Sequence, residues 1–244
     1  MKLAASAIGR TVRTGLDLML PRPCPGCGGP EPWCAGCAGT LQGRPRLLAL
    51  PESTLDAATG FRLPPARALT RYAGPARAAI LAGKEHGRTD LPPLLGLAVG
   101  LALLRLQRSA LVSAEIWIVP APSRRSAARR RGGDPVIGMA NAAARALAER
   151  GIAAGVAPCL YTAGRARDSV GLDAAGRLAN LNGRVRFQKS GAPPSGASVV
   201  LLDDVLTSGA TMVASCRVLA TAGLEVDMEL AIATAAPWCS ERGR

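Results

Sequence analysis

Val199-Val-Leu-Leu-Asp203-Asp204-Val-Leu-Thr207-Ser208-Gly209-Ala210-Thr211 joins an apolar run to two adjacent acids and a hydroxyl-rich turn. A parallel strand covered on both faces is continuously apolar rather than alternating, so Val199–Leu202 is expected as a buried strand. A helix is expected from Met212 to Gly223. Ligands of open α/β sheets bind outside the C-terminal ends of strands, which is where this reading puts Asp203 and Asp204. There the two carboxylates can accept hydrogen bonds from vicinal hydroxyls, or face a metal through water. Thr207, Ser208, Gly209, Ala210 and Thr211 offer backbone N–H groups and three hydroxyls at a helix N-terminus, a cradle for phosphate. An ordinary strand-to-helix turn with capping hydroxyls is the plainer alternative. Acids that bind a diol beside a phosphate cradle suit a ribose 5-phosphate.

Outward from this stretch, Ala66–Tyr72, Glu115–Val119, Gly155–Tyr161 and Val185–Phe187 read as further strands, with Glu225–Ala235 closing the sheet. Helices are expected from Gly74 to Leu81, over Leu91–Leu106, and from Pro135 to about Arg150. This alternation predicts an α/β fold with a parallel sheet flanked by helices. Leu91–Leu106 is the most apolar run, but it is short and opens on Pro92-Pro93, so it reads as a covering helix and no membrane span is expected. Near the start, Ile8, Val12, Leu16 and Leu20 form one helical stripe, while Arg10, Arg13 and Asp17 interrupt any signal-peptide core.

Four of the seven cysteines fall in Cys24-Pro-Gly-Cys27-Gly-Gly-Pro-Glu-Pro-Trp-Cys34-Ala-Gly-Cys37. Two C-x-x-C knuckles this close can deliver four thiolates to one tetrahedral, structural zinc. Free or redox thiols are the alternative, although no strand-then-helix context for a redox pair surrounds them. Cys159, Cys216 and Cys239 sit in apolar surroundings and read as buried thiols, a pattern that suits a reducing cytoplasm.

Thirty Lys and Arg residues against 17 Asp and Glu give a net charge of +13, which favours anionic partners. Aromatics make up only 3%, which argues against a dedicated single-strand binder. Arg124, Arg125, Arg129, Arg130 and Arg131 crowd just past the Glu115–Val119 strand, an anion signal that leaves nucleic acid as an alternative. Ala82–Arg88 reads as a polar loop in which Lys84 and Arg88 are the candidates to face an anion, a merely solvated loop being the alternative, and the lone His86 reads as solvated. Thr162–Gly183 carries Arg165, Arg167, Asp168, Arg177 and Asn180 among glycines and reads as a lid.

The Val199–Thr211 stretch resembles the PRPP-binding motif of type I phosphoribosyltransferases: a hydrophobic strand, two acids and a Thr/Ser-Gly-x-Thr loop. With the Cys-x-x-Cys region, Lys84-Glu-His-Gly-Arg88, Val119-Pro-Ala-Pro-Ser-Arg-Arg, Arg131-Gly132 and Gly171-Leu172…Arg177…Asn180, nearly the whole chain is similar to the ComF family of competence-associated proteins. The resemblance implies a type I phosphoribosyltransferase-like domain over residues 66–244. A helix and a four-cysteine zinc region precede it over 1–45, with a connector over 46–65. It implies that Asp203 and Asp204 contact the ribose hydroxyls and serve catalysis, and that Thr207–Thr211 hold the 5-phosphate. Ala121, Ser123, Arg124 and Arg125 would receive pyrophosphate, and a flap with Arg167, Asp168 and Arg177 would close over PRPP and Mg²⁺. Two positions depart from the pattern: relatives usually have Gly-Phe-Asn where this chain has Gly132-Gly133-Asp134, and often a Gln before Gly171-Leu172. No general base stands out. Three activities are therefore open: a phosphoribosyltransferase of unknown acceptor, a non-catalytic PRPP- or nucleotide-binding regulator, and a nucleic-acid-binding accessory of DNA uptake. A cytoplasmic location is expected, and homo-oligomerisation is left open.

Overall fold

A computed structural model describes residues 22–49, 63–123, 133–163 and 183–239. The expected N-terminal helix, the arginines at 124–131 and the lid residues Arg165, Arg167, Asp168 and Arg177 lie outside the described residues. In chain order the elements begin with α1 (Ala35–Gly39), β1 (Arg46–Leu47), β2 (Ala66–Arg71), α2 (Gly74–Glu85) and α3 (Leu91–Arg108). The middle of the chain forms β3 (Glu115–Pro120), α4 (Pro135–Ala148), β4 (Ala153–Val156), β5 (Leu160–Thr162) and β6 (Val185–Phe187). A short 3-10 turn follows, then β7 (Val199–Leu206), α5 (Ala210–Thr221) and β8 (Val226–Thr234).

Six strands form one sheet in the order β1-β2-β8-β7-β3-β4, all parallel except the edge strand β1. The fold is mixed α/β, with a mostly parallel sheet flanked by helices and a four-cysteine cluster near the N-terminal end. Val199–Leu202 is fully buried, as a continuously apolar strand must be when both faces are covered. One face of the sheet packs on α2, α3 and α4, with Val200, Leu202 and Leu230 among Ile80, Val99, Leu103 and Met139. The other packs on α5, with Val199 and Leu201 against Met212 and Cys216.

Several expectations need correction. β8 does not close the sheet but lies in its middle, between β2 and β7. The expected strand at Gly155–Tyr161 is two elements: β4 ends at Val156 in the main sheet, and β5 pairs antiparallel with β6 in a separate hairpin. Residues 46–47, read as connector, add the edge strand β1, and Leu48 bridges to Trp238 near the other end of the chain. Arg46 and Arg71 stack on that indole, with guanidinium carbons 4.7 and 5.0 Å from the ring centroid. The helix expected to stop at Leu81 runs on to Glu85, which places Lys84 on a helix rather than in a loop.

Among the described residues α3 is the helix long and apolar enough to cross a membrane, and half of it is buried inside the protein. Its Gly96 and Gly100 face α4: a Cβ on Gly96 would lie 2.4 Å from the Met139 carbonyl oxygen, and one on Gly100 3.0 Å from that of Ala143. Glycine here lets two helix backbones touch, so α3 is a core helix with a matched partner.

Candidate functional site

The chain reverses direction across the sheet between β3 and β7. From β3 it crosses to β4 on one side, then returns to β7 and β8 on the other. Such a switch point leaves a crevice at the C-terminal strand ends, because the two crossovers diverge. β3 stops pairing with β7 at Pro120 opposite Leu202, whereas β7 continues along β8 to Leu206. Asp203 and Asp204 therefore lie within β7, not beyond its end as the sequence suggested, but past the reach of β3. The switch-point rule puts the expected crevice beside them.

The wall on the β3 side is Ala121–Ser123. Ala121 donates its N–H to the Leu202 carbonyl at 2.7 Å and ends the ladder. The Ser123 hydroxyl donates to the Asp134 carboxylate, which also accepts the Val136 N–H at 2.9 Å as the N-cap of α4. Asp or Asn caps a helix equally well, so Asp134 keeps the capping role at the position where the resemblance has Asn. The Ser123 carbonyl accepts from the Thr162 N–H of β5 at 3.4 Å, which sets the β5–β6 hairpin beside the same wall. Ala121 and Ser123 are thus at the crevice, while Arg124 and Arg125 fall outside the described residues.

Successive residues of a strand point to opposite faces, and the acid pair divides accordingly. Asp204 is buried on the α2 side, where Lys84 Nζ approaches its Oδ2 at 2.6 Å. Burial works against the Lys84 ammonium, but the charges of Asp204 and Asp203 outweigh it and hold its pKa above the ordinary value. Asp203 is half-buried and its Oδ1 accepts the Asp204 N–H at 2.8 Å. Burial, with the Asp204 charge beside it, pushes the Asp203 carboxyl up to about 8. On the neighbouring strand Glu229 is 1% exposed, and burial and the Asp203 charge raise its pKa well above the ordinary carboxylate range.

The Thr207–Gly209 turn follows β7 directly. Gly209 takes φ 75°, a left-handed conformation that glycine adopts without a Cβ clash, and it is the N-cap of α5. As the N-cap, Gly209 brings no side chain to the helix start. Thr207 is exposed, and Ser208 and Thr211 are half-buried, beside the first-turn N–H groups. The acids and the helix N-terminus are one short turn apart, as the sequence implied.

The four cysteines converge. The Sγ atoms of Cys24, Cys27, Cys34 and Cys37 all lie within 4.8 Å of one another, and those of Cys27 and Cys34 are 3.5 Å apart. Zinc–thiolate bonds of about 2.3 Å in a tetrahedron put sulfurs roughly 3.8 Å apart, so the set fits a closed, structural site. Burial resists ionisation of Cys24, yet backbone N–H groups of Cys34, Cys27 and Gly26 outweigh it and lower its thiol to about 6. Burial and the neighbouring sulfurs push the Cys37 thiol up. The remaining thiols divide: Cys159 and Cys216 are buried, as expected, and Cys239 is half-buried.

Two residues carry roles other than those expected. Lys84 meets a carboxylate of the protein itself rather than an external anion. Arg88, 9% exposed, gives its guanidinium to the Pro23 and Pro32 carbonyls at 2.9 and 3.1 Å and to Asp90 at 2.7 Å. Glu229 was not singled out from sequence; the available signal was one acid inside the otherwise apolar Met228–Thr234 run. Compared with models of known protein families the chain matches none, and no curated protein matches it.

Proposed function

We propose that the crevice binds a ribose 5-phosphate carrying a diphosphate, and that the protein is a phosphoribosyltransferase-like member of the ComF type. The observation that carries this reading is the acid pair at the β3/β7 switch point, one turn before the N-terminus of α5, which starts on Gly209. A phosphate on the α5 N–H groups puts the attached ribose next to β7, where Asp203 and Asp204 meet its vicinal hydroxyls. Binding energy from the phosphate, remote from the reacting bond, then holds the anomeric carbon in place. As pyrophosphate leaves, positive charge grows on the ribose ring, and the carboxylates beneath it offset that charge. Ala121, Ser123 and the arginines that follow receive the leaving group.

Mg²⁺, when bound, supplies Lewis-acid stabilisation of the departing diphosphate. Lys84 already pairs with one Asp204 oxygen, and Asp203 and Asp204 would be the residues that face Mg²⁺. The cysteine cluster fits structural Zn²⁺. A non-catalytic regulator would use the same pocket, and the Lys84–Asp204 pair favours keeping that reading, since it satisfies Asp204 without substrate.

Calorimetry with PRPP and Mg²⁺ tests the proposal. Wild type is expected to bind, and Asp203→Asn/Asp204→Asn to lose at least about tenfold, the loss of roughly one charge-assisted hydrogen bond. A folded wild type that binds no PRPP overturns both readings and leaves nucleic acid as the partner to pursue. Pyrophosphate release on adding candidate acceptors separates the enzyme from the regulator.

A further inference from the structure

Between the cysteine cluster and the acid pair lies one short segment, the end of α2 and the turn after it. At one end of α2 a Cβ on Gly26 would lie 2.6 Å from Cys37 Sγ and 2.8 Å from Pro75 Cβ, so the first knuckle is pressed against the helix start. At the other end Lys84 holds Asp204, and four residues on, Arg88 holds carbonyls on both sides of the first knuckle, Pro23 and Pro32. The Arg88 N–H and the His86 N–H both return to the Ala82 carbonyl, which locks the turn onto the last turn of α2. Trp33, between the two knuckles, and Leu41, just past them, pack into the core that α2 and α3 share. A buried guanidinium with acceptors from a metal-dependent module loses those acceptors when the module loses its fold.

We infer that the cysteine module holds Lys84 on Asp204, with Arg88 as the positioning residue that transmits its fold, so that metal in the module regulates the acid pair. The inference rests on the phosphoribosyl reading only for its consequence. With the module intact, the ammonium is held where it neutralises Asp204. With the module open, Asp204 is left buried beside Asp203 without a fixed cation, and an anionic ligand meets uncompensated negative charge. The coupling element is a short helix with two anchors rather than a chain of correlated positions, which makes it directly testable.

Lysine occurs only at positions 2, 84 and 189, so acylation by an N-hydroxysuccinimide ester, read by peptide mass spectrometry, reports Lys84 separately. The full chain is labelled zinc-loaded, after chelation, and as Arg88→Ala and Gly26→Ala, with circular dichroism and zinc content measured on each. Asp204→Asn gives the rate for a released Lys84. Labelling of Lys84 is expected to rise about fivefold or more in the chelated protein and both variants, with Lys189 unchanged. Unchanged Lys84 labelling in folded Arg88→Ala and Gly26→Ala overturns the inference. So does a parallel rise at Lys189, which would mean general loosening. No ligand enters this measurement, so it stands whether or not PRPP binds. If PRPP does bind, Arg88→Ala is expected to weaken it several-fold, whereas Arg184→Ala, just before β6, leaves Lys84 labelling untouched.

Discussion

The two faces of the central sheet solve the same burial problem differently, and the acid pair sits astride them. On the α2–α3–α4 face, helices approach to backbone contact through Gly96 and Gly100, and the acid that points there, Asp204, is met by Lys84. On the α5 face the packing admits polar groups: Glu229 is buried near Asp203, and Ser215 Oγ and Glu229 Oε2 have no hydrogen-bond partner among the described residues. One carboxylate has a fixed cation and its neighbour in sequence has another carboxyl group. Different surroundings suit two adjacent acids to separate roles, and of the two it is Asp203 whose carboxyl is pushed up, to about 8.

The largest effect that would break this contrast is Gly96→Ala. The added carbon meets backbone, which has no rotamer to yield, and a stability loss of about 3 kcal/mol in denaturant unfolding is expected. A loss under about 1 kcal/mol would mean that the two faces are equally adaptable. Next comes Lys84→Met, which strands a buried carboxylate and should cost about 2 kcal/mol, less than for a fully buried pair because the ammonium is 41% exposed. Adding Asp204→Leu should recover part of that loss; no recovery would show that Lys84 stabilises through its stem rather than its charge.

Smaller is the pH dependence. With its pKa raised to about 8, Asp203 binds more protons folded than unfolded between the ordinary carboxylate range and that value, and Glu229 acts with the same sign. Ligand-free stability should therefore fall as pH rises from about 5 to 8, with Asp204 and Lys84 the other charges at the site. Asp203→Asn or Glu229→Gln should flatten that slope by about 1 kcal/mol across the interval. A slope unchanged in both variants would remove Asp203 from the titrating role. Smallest is Ser215→Ala, which deletes a buried hydroxyl with no partner among the described residues and should change stability by no more than about 0.5 kcal/mol.

What was legible in the sequence was local. The buried β7 follows from four consecutive apolar residues, the turn into α5 from Gly209 and its neighbouring hydroxyls, and the cysteine cluster from its spacing. What was not legible depends on residues far apart. Nothing within Val226–Thr234 says that β8 sits mid-sheet, because strand order is set by crossovers and not by composition. The β5–β6 hairpin joins two three-residue strands more than 20 positions apart, too short to carry a period. Lys84 and Arg88 were legible as cations, but the Lys84 carboxylate lies about 120 positions downstream, and Arg88, besides Asp90 two positions on, reaches carbonyls about 60 upstream. The loop reading failed for Lys84 because α2 outlasts its apolar stripe by one turn.

Ser123 and Asp134 meet although they stand 11 positions apart, so the two ends of the segment between them are pinned together. Once such a neck is fixed, lengthening the segment it encloses costs little: doubling it adds only about 0.6 kcal/mol of closure entropy. The pair is therefore a socket into which segments of different length and charge can be fitted without rebuilding the sheet or α4.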